Sequence, residues 1–228
     1  MLELLGEVLE AAAAAGRLVR GRGEPLHRVA VELAPAGGFG TRPAGHAVHV
    51  DGSVTAAGAA GVGVWHGAGH AGNAAGHLGV GNASNNVAEL AAIYWALLRH
   101  PRRARLTVYS DSRHALAQLR ARAAAGAFCQ CSSERGAPLL LNAVLLLLFL
   151  RRAPTTFRKV AAHGASRDNA AADRLAKLGA ERRGGSGEAI HVPGVPHPSA
   201  GRRARLAALW GQWRAFLRSG GGEGAGAG

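Results

Sequence analysis

The pattern of apolar and polar residues predicts alternating strands and helices in the middle of the chain. Residues 47–51 alternate as in a half-buried strand, and Gly52-Ser53 follow as a turn. Further strands are predicted at 62–65, 76–80, 106–109 and 156–161. Helical spacing of apolar residues predicts helices at 87–99, 114–122, 139–150 and 170–180. This order of elements is typical of an α/β fold.

Two flanking regions have a different pattern. Apolar spacing predicts a helix at 2–20 and a short strand at 27–33, and a Gly/Pro-rich linker follows at 35–45. A second Gly/Pro-rich stretch follows residue 181, then an arginine-rich helix with an apolar stripe at 202–218 and a glycine-rich tail. The expected domains are therefore an N-terminal extension at 1–45, a core domain at 46–181 and a basic C-terminal extension at 182–228.

The longest apolar run, Leu139 to Leu150, is too short to span a bilayer, which takes about 20 residues. It contains Asn142 and predicts a buried helix, and no membrane partner is expected. The opening Met1-Leu2-Glu3 lacks the basic segment of a presequence. Cys129 and Cys131 form a lone C-x-C, which indicates reduced thiols. We therefore expect an intracellular protein, in the nucleus or the cytoplasm.

The net charge of the chain suggests the kind of partner that it binds. The chain carries 27 basic and 14 acidic residues, with a net charge of +13. Such an excess favours a polyanion, most plausibly nucleic acid. Nearly all the basic residues are arginine, and alanine and glycine are abundant, so biased coding composition explains part of the charge. Charge alone therefore does not decide the function.

Acidic residues are scarce where the strands and helices are predicted. Between Leu33 and Ser133 the sequence holds only Asp51, Glu89 and Asp111, each at the edge of a predicted element. Asp173 joins them early in the last core helix. Hard divalent cations prefer oxygen ligands, so these four carboxylates predict a metal site. The simpler alternative is four unrelated turn-forming or helix-capping acids.

Histidines and asparagines supply further candidates. His66, His70 and His77 could suggest zinc, but no cysteine or carboxylate accompanies them, so a zinc site is the less favoured interpretation. Asn85-Asn86 are predicted to cap the 87–99 helix, with Glu89 in its first turn. Asp168 or Asn169 is predicted to cap the last core helix.

Four motifs in order resemble the type 1 ribonuclease H family. They are Val50-Asp51-Gly52-Ser53, Asn85-Asn86-x-x-Glu89-Leu90, Ser110-Asp111-Ser112, and His163 followed by Asn169-x-x-x-Asp173-x-Leu175-Ala176. The resemblance covers residues 46–181. It implies a ribonuclease H-like α/β fold, in which a five-stranded mixed sheet is flanked by helices and the strand with Asp51 is central.

The resemblance also implies roles for individual residues. Asp51, Glu89, Asp111 and Asp173 would hold metal ions, and His163 would assist hydrolysis and product departure. Substrate-binding positions would be Asn85, Asn86, Ser112 and Asn169. The implied cofactor is a pair of Mg²⁺ ions, with Mn²⁺ as an alternative. Two such ions can clamp the attacking and leaving oxygens of an in-line displacement.

The activity implied is endonucleolytic hydrolysis of the RNA strand of an RNA–DNA hybrid. Two alternatives stay open: a nuclease of the same fold acting on DNA, and a non-catalytic domain that binds nucleic acid. The familiar tryptophan-bearing basic segment after the third acid is not recognisable, and residues 123–138 stand there instead. Substrate grip would then come from Arg99, Arg102, Arg103, Arg105 or the C-terminal helix. The unfamiliar flanks resemble retroelement ribonuclease H domains, which suggests a larger polyprotein.

Overall fold

A computed structural model describes residues 28–33, 45–81, 83–125, 137–161, 166–182 and 188–190. Their strands are β1 Val29–Glu32, β2 His46–Val54, β3 Ala59–Trp65, β4 Ala74–Gly81, β5 Leu106–Ser110, β6 Thr155–Lys159 and β7 Glu188–Ile190. Their helices are α1 Asn85–Arg99, α2 Arg113–Ala125, α3 Ala137–Leu150 and α4 Arg167–Glu181. The predicted helices at 2–20 and 202–218, both cysteines, the tail, and residues 35–44 of the predicted linker at 35–45 lie outside the described residues.

All strands of the described residues form one mixed sheet in the order β1-β6-β5-β2-β3-β4-β7. β2 pairs antiparallel with β3 and parallel with β5, so the strand that carries Asp51 is central, as expected. The seven strands are two more than the resemblance implied. The two additions are β1, which pairs with β6, and β7, which pairs with β4. They fall in the predicted extensions, and the domain boundaries stay a prediction.

The two faces of β2 have different neighbours because side chains alternate along a strand. Val48 and Val50 are fully buried in a core shared with α1 and α3. His49 and Asp51 point to the opposite face, where α4 packs against β2 and β3. The predicted α/β class with helices on both sides of the sheet is therefore confirmed. Asp51 lies at the boundary between the sheet and α4.

Both predicted helix caps are wrong by a few residues. Ser84 caps α1, and its hydroxyl accepts a hydrogen bond from Val87 N at 3.4 Å, so Asn85 and Asn86 are the first helical residues. Glu89 consequently lies beyond the first turn. Ser166 caps α4 by accepting from Asn169 N at 3.3 Å. Serine and asparagine cap equally well, so local sequence could not choose between neighbouring candidates.

The leucine-rich α3 is buried, as its composition predicted. Leu140, Val144 and Leu148 lie in the main core, and Asn142 is buried with them. Phe149, by contrast, is exposed. Within the described ranges, no helix is both long and apolar enough to cross a membrane.

Glycines allow α4 to approach the sheet closely. A Cβ at Gly61 or Gly63 would overlap the backbone of α4, at Ala176 and Ala172 respectively. A Cβ at Gly179 would overlap the carbonyl oxygen of Gly76 in β4. Since Gly63 is the partner of Asp51 in the β2–β3 ladder, this packing brings the Asp173 turn of α4 beside Asp51.

Replacing Gly63 by alanine should therefore displace α4. The added methyl group would meet the Ala172 carbonyl, and overpacking of this kind costs about 1–3 kcal/mol. Chemical denaturation should show this loss of the free energy of unfolding. Gly69→Asn is the steric control, because nothing lies within 4 Å of an added Cβ there. Asparagine tolerates the φ of 70° better than other side chains do, and its remaining cost should be smaller than that of Gly63→Ala. Equal stability of Gly63→Ala and the wild type would contradict this account of the helix–sheet packing.

Candidate active site

Three structural elements bring acidic side chains together at the centre of the sheet. Asp51 is on β2 and is only 6% exposed. Gly52 lies against the backbone of Ala88 and Glu89, which places the α1 acid beside it. β5 runs parallel to β2 and ends at Ser110, so Asp111 emerges at the same place. Carboxylate oxygens of Asp51, Glu89 and Asp111 lie within 4.8 Å of one another.

Asp173, the fourth predicted ligand, stands slightly apart. It is outside the group whose oxygens fall within 4.8 Å, but its charge raises the pKa of Asp51. Its Oδ2 accepts a hydrogen bond from Lys177 Nζ at 2.7 Å, one helical turn further along α4. The structure therefore brings three of the four acids into one group and places the fourth within electrostatic range.

Burial and the neighbouring carboxylates raise the pKa values of Asp51 and Glu89 in the absence of a cation. Burial, together with the charges of Asp51 and Asp111, raises the pKa of Glu89 to about 9. Burial, with Asp111 and Asp173, raises the pKa of Asp51 to about 7. Glu89 Oε2 is buried without a hydrogen-bond partner. A divalent cation would relieve this repulsion and could bind the unpartnered Glu89 oxygen as a ligand, so the oxygen-only donor set fits a hard metal ion.

The predicted substrate-binding residues lie in three different surroundings. Asn85 and Asn86 are exposed at the start of α1. Ser112 caps α2, with its hydroxyl accepting from Ala115 N at 3.3 Å. Asn169 is 3% exposed, and its Nδ2 donates to Asp111 Oδ2 at 3.0 Å. Among the predicted residues, His163 lies outside the described part of the chain.

Sequence reasoning missed Lys177. The residue ion-pairs with Asp173 from the exposed surface of α4. The signal was present, because an acid and a lysine four residues apart share one face of a helix. Such pairs are common on exposed helices, so the spacing by itself does not indicate a role in the site.

Comparison with models of protein families identifies the family of this chain. The ribonuclease H family profile matches residues 43–181, which is more than half of the chain. The chain belongs to the ribonuclease H family. No curated protein matches the chain. Membership of this family supports, in general, nuclease activity on RNA–DNA hybrids. The group formed by Asp51, Glu89 and Asp111 is compatible with metal binding.

The raised pKa values of Asp51 and Glu89 predict how the stability of this ribonuclease H domain depends on pH. Glu89 and Asp51 have folded pKa values of about 9 and about 7, above their reference values of 4.5 and 3.8. The contribution of these two groups to the stability of the metal-free protein should therefore be full below about pH 4 and be lost as pH rises through 7 towards 9. Added Mg²⁺ should raise Tm more at about pH 8 than at about pH 5.5, by at least a few degrees.

Thermal melts with EDTA or Mg²⁺ across this pH range measure the effect. Glu89→Gln should flatten the metal-free profile, because it removes the most perturbed carboxyl group. Glu181→Gln, an exposed change at the end of α4, should leave the profile unaltered. A Mg²⁺-induced rise in Tm that is the same at both pH values would contradict the assignment.

Proposed function

We propose that the protein is a metal-dependent endonuclease that hydrolyses the RNA strand of RNA–DNA hybrids with two Mg²⁺ ions. The observation that carries this proposal is the meeting of Asp51, Glu89 and Asp111 from three separate elements. The family match supports the substrate class. Mn²⁺ has similar ligand preferences and is expected to substitute.

Asp51, Glu89, Asp111 and Asp173 are proposed to bind the ions, and neighbouring groups hold three of these side chains in position. Asp51 is central in the cluster: Gly52 N donates to its Oδ1 at 3.0 Å, and its carboxyl group shares a side-chain hydrogen bond with Glu89. Asn169 fixes the orientation of Asp111, and Lys177 restrains Asp173 until a cation takes part of its charge. Bound Mg²⁺ would lower the pKa of the attacking water and stabilise the leaving oxyanion. His163 is proposed to move a proton in the same reaction.

Asn85 and Asn86 are proposed to contact the hybrid. They are exposed at the start of α1, about one helical turn before Glu89. A side-chain amide there can both donate and accept hydrogen bonds to bases and 2′-hydroxyls, which line the wide minor groove of an A-like duplex. Ser112 would act indirectly, by fixing the backbone next to Asp111.

The four arginines predicted to bind the substrate differ in their position relative to the acid cluster. Arg102, Arg103 and Arg105 precede β5, whereas Asp111 follows it. A five-residue strand separates them by about 17 Å. That distance suits contact with phosphates beyond the cleaved bond rather than at it. Arg99 lies over the Trp95 ring at 4.9 Å.

The deciding experiment compares labelled RNA–DNA, RNA–RNA and DNA–DNA duplexes with Mg²⁺, Mn²⁺ or EDTA. The proposal expects cleavage of the RNA strand in the hybrid alone, dependent on metal. Cleavage of the DNA–DNA duplex would support the DNA nuclease alternative. Tight hybrid binding without any cleavage would support the non-catalytic alternative. A retroelement polyprotein as the biological context is proposed only from the unusual 123–138 segment and flanks.

A further inference from the structure

Four parallel strands begin at the end of the sheet opposite the carboxylates. β1, β6, β5 and β2 are neighbours in this order, and a basic residue lies at or shortly before the start of each. These residues are Arg28, Arg152, Arg105 and His46. Neighbouring strands lie about 4.8 Å apart, so the four strand starts span about 14 Å. The strand order therefore brings together basic residues that are far apart in the sequence.

Hydrogen bonds to the backbone hold these basic residues beside one another. Arg28 Nη1 donates to the Arg152 carbonyl at 3.0 Å. Arg152 N donates to the Arg102 carbonyl at 3.0 Å, and His46 N donates to the Arg105 carbonyl at 2.9 Å. The positions from which the side chains extend are consequently fixed by the framework of the sheet.

A buried arginine fixes the turn between α1 and β5. Arg151 is 4% exposed, and its Nη2 donates to the Ala104 carbonyl at 2.6 Å. Its Nη1 donates to the His100 carbonyl at 3.3 Å, and its Nε donates to Thr155 Oγ1 at 2.8 Å. Arg151 thus stabilises the backbone of the turn, and the turn presents Arg103 to solvent.

The described segments at this end of the sheet contain seven arginines, four histidines and no acidic residue. The segments are Arg28 and residues 45–47, 66–73, 99–106 and 150–155. Elsewhere in the described residues basic side chains do pair with carboxylates, as Arg158 does with Glu32 at 2.8 Å. The exposed arginines that have no carboxylate partner among the described residues, here called the basic patch, are Arg28, Arg103, Arg105 and Arg152.

The histidines at this end are surrounded by further positive groups. The ring centroids of His66 and His100 are 5.0 Å apart. Burial lowers the pKa of His66 to about 4, and His100, His70, Arg99 and His46 lower it further. Burial and neighbouring positive groups also lower the pKa of His100. A bound polyanion would offset this excess of positive charge.

We propose that the basic patch binds the phosphate backbone of a second segment of duplex nucleic acid, separate from the segment at the acid cluster. The planar guanidinium group of arginine matches the geometry of phosphate oxygens. About 14 Å of duplex axis carries about four phosphates of one strand, a number that four arginines can contact. Binding to a membrane surface would need a broad apolar face. In the described residues only Phe149, three positions before Arg152, is a large exposed apolar side chain close to the patch in sequence.

The position of the first segment, on which this inference depends, comes from the proposed function. Asn85 and Asn86 are proposed to contact the hybrid at the start of α1, and Arg99 ends that helix about 21 Å away. Asp111 and Arg105 lie beyond opposite ends of β5, about 17 Å apart. Duplex DNA stays nearly straight over tens of base pairs, because its persistence length is about 150 base pairs. One segment therefore does not bend around the domain to reach both ends of the sheet.

Binding of a labelled DNA–DNA duplex by the full chain in EDTA tests the basic patch, because this probe requires neither metal nor cleavage. Arg103→Gln/Arg105→Gln/Arg152→Gln should weaken binding by about tenfold or more at low salt. The slope of log K against log salt should become shallower by about 2–3, since each lost phosphate contact removes about 0.9. Thermal melts establish that the variant is folded.

The matched control removes the same charge from other exposed or half-buried positions. Arg120→Gln/Arg122→Gln/Arg182→Gln changes α2 and the end of α4, away from the starts of the parallel strands. Its affinity for the duplex should stay within about twofold of wild type, because exposed charges beyond about 10 Å are screened by salt.

A bridging assay tests whether the second segment is separate from the first. Asp111→Asn, which should bind the hybrid without cleaving it, is loaded on an immobilised hybrid and then exposed to the labelled DNA–DNA duplex. The loaded protein should retain the duplex, and adding the three basic-patch substitutions should reduce retention by about tenfold or more. Duplex binding in EDTA is measured without cleavage, so its outcome is distinguishable from failure of the nuclease assay.

Four results would overturn the proposal. Equal duplex binding by wild type and the basic-patch variant would show that the patch is not a binding surface. An equal loss in the control variant would attribute binding to net charge. Patch-dependent duplex binding without bridging would place both contacts on one segment. Loss of binding to phosphatidylserine vesicles, with duplex binding unchanged, would assign the patch to a membrane surface.

Discussion

Asp111→Asn should abolish hybrid cleavage while the protein stays folded. The change removes one negative charge from the group formed with Asp51 and Glu89, and with it an oxygen ligand for a divalent ion. We expect a loss of about 10³-fold or more in the cleavage rate, equivalent to about 4 kcal/mol of transition-state stabilisation. Steady-state cleavage of a labelled hybrid in saturating Mg²⁺ measures it.

The same substitution should not lower the stability of the metal-free protein. The charge of Asp111 raises the pKa values of both Asp51 and Glu89, so a neutral amide in its place removes repulsion. Its carbonyl oxygen can still accept from Asn169 Nδ2. Tm in EDTA at about pH 8 should therefore equal or exceed that of the wild type.

Asp168→Asn is the matched control for this experiment. It is on the same helix as Asp173, outside the acid cluster, and its Oδ1 accepts from Trp65 Nε1 at 2.9 Å. The amide oxygen of asparagine can keep that bond, and cleavage should remain within a few fold of wild type. If Asp111→Asn and Asp168→Asn cleave equally well, the carboxylate cluster is not the catalytic centre.

Leu145→Asp should unfold the domain. Leu145 is 3% exposed in the middle of α3, within the core beneath the central strands. A carboxylate there would lose its hydration without a partner, and a cavity of part of the leucine volume would remain. Loss of the side chain alone, as in Leu145→Ala, should cost about 2–5 kcal/mol, and the charge adds to it.

Phe149→Asp is the control, because it places the same charge at an exposed position of the same apolar helix. Phe149 is 65% exposed, so a charge at this position stays hydrated. In urea denaturation, the free energy of unfolding of Phe149→Asp should lie within about 0.5 kcal/mol of the wild-type value. Leu145→Asp should show no cooperative unfolding transition. A cooperative, near-native unfolding curve for Leu145→Asp would show that α3 is not part of the essential core.

The sequence alone was enough for the class of the fold and for singling out the three acids that the fold brings together. Alternation in residues 47–51 predicted the central strand, although β2 continues to Val54 through the Gly52-Ser53 pair that was predicted to be a turn. Apolar spacing predicted α1, because burial of one face imposes a local period, and the continuous apolar run predicted the buried α3. The rarity of carboxylates made Asp51, Glu89 and Asp111 conspicuous. The ordered motifs then placed them in a family that the profile match confirms.

Other features depend on contacts between residues far apart in the chain. The approach of α4 to the sheet rests on Gly63 and Gly179 meeting backbone atoms, and no periodicity reports such a contact. Pairing of β1 with β6 joins residues more than one hundred positions apart. The partnership of Asn169 with Asp111 has the same origin.

The histidines show this difference most clearly. In sequence, His66, His70 and His77 form a group by proximity, and that group gives a weak case for zinc. In the folded chain, His66 instead meets His100 and, through it, His46. Sequence fixes which face of a strand or helix a residue occupies, because that follows from the local period. Only the packing of β2, α1 and the loop after β3 decides which of those residues share a site.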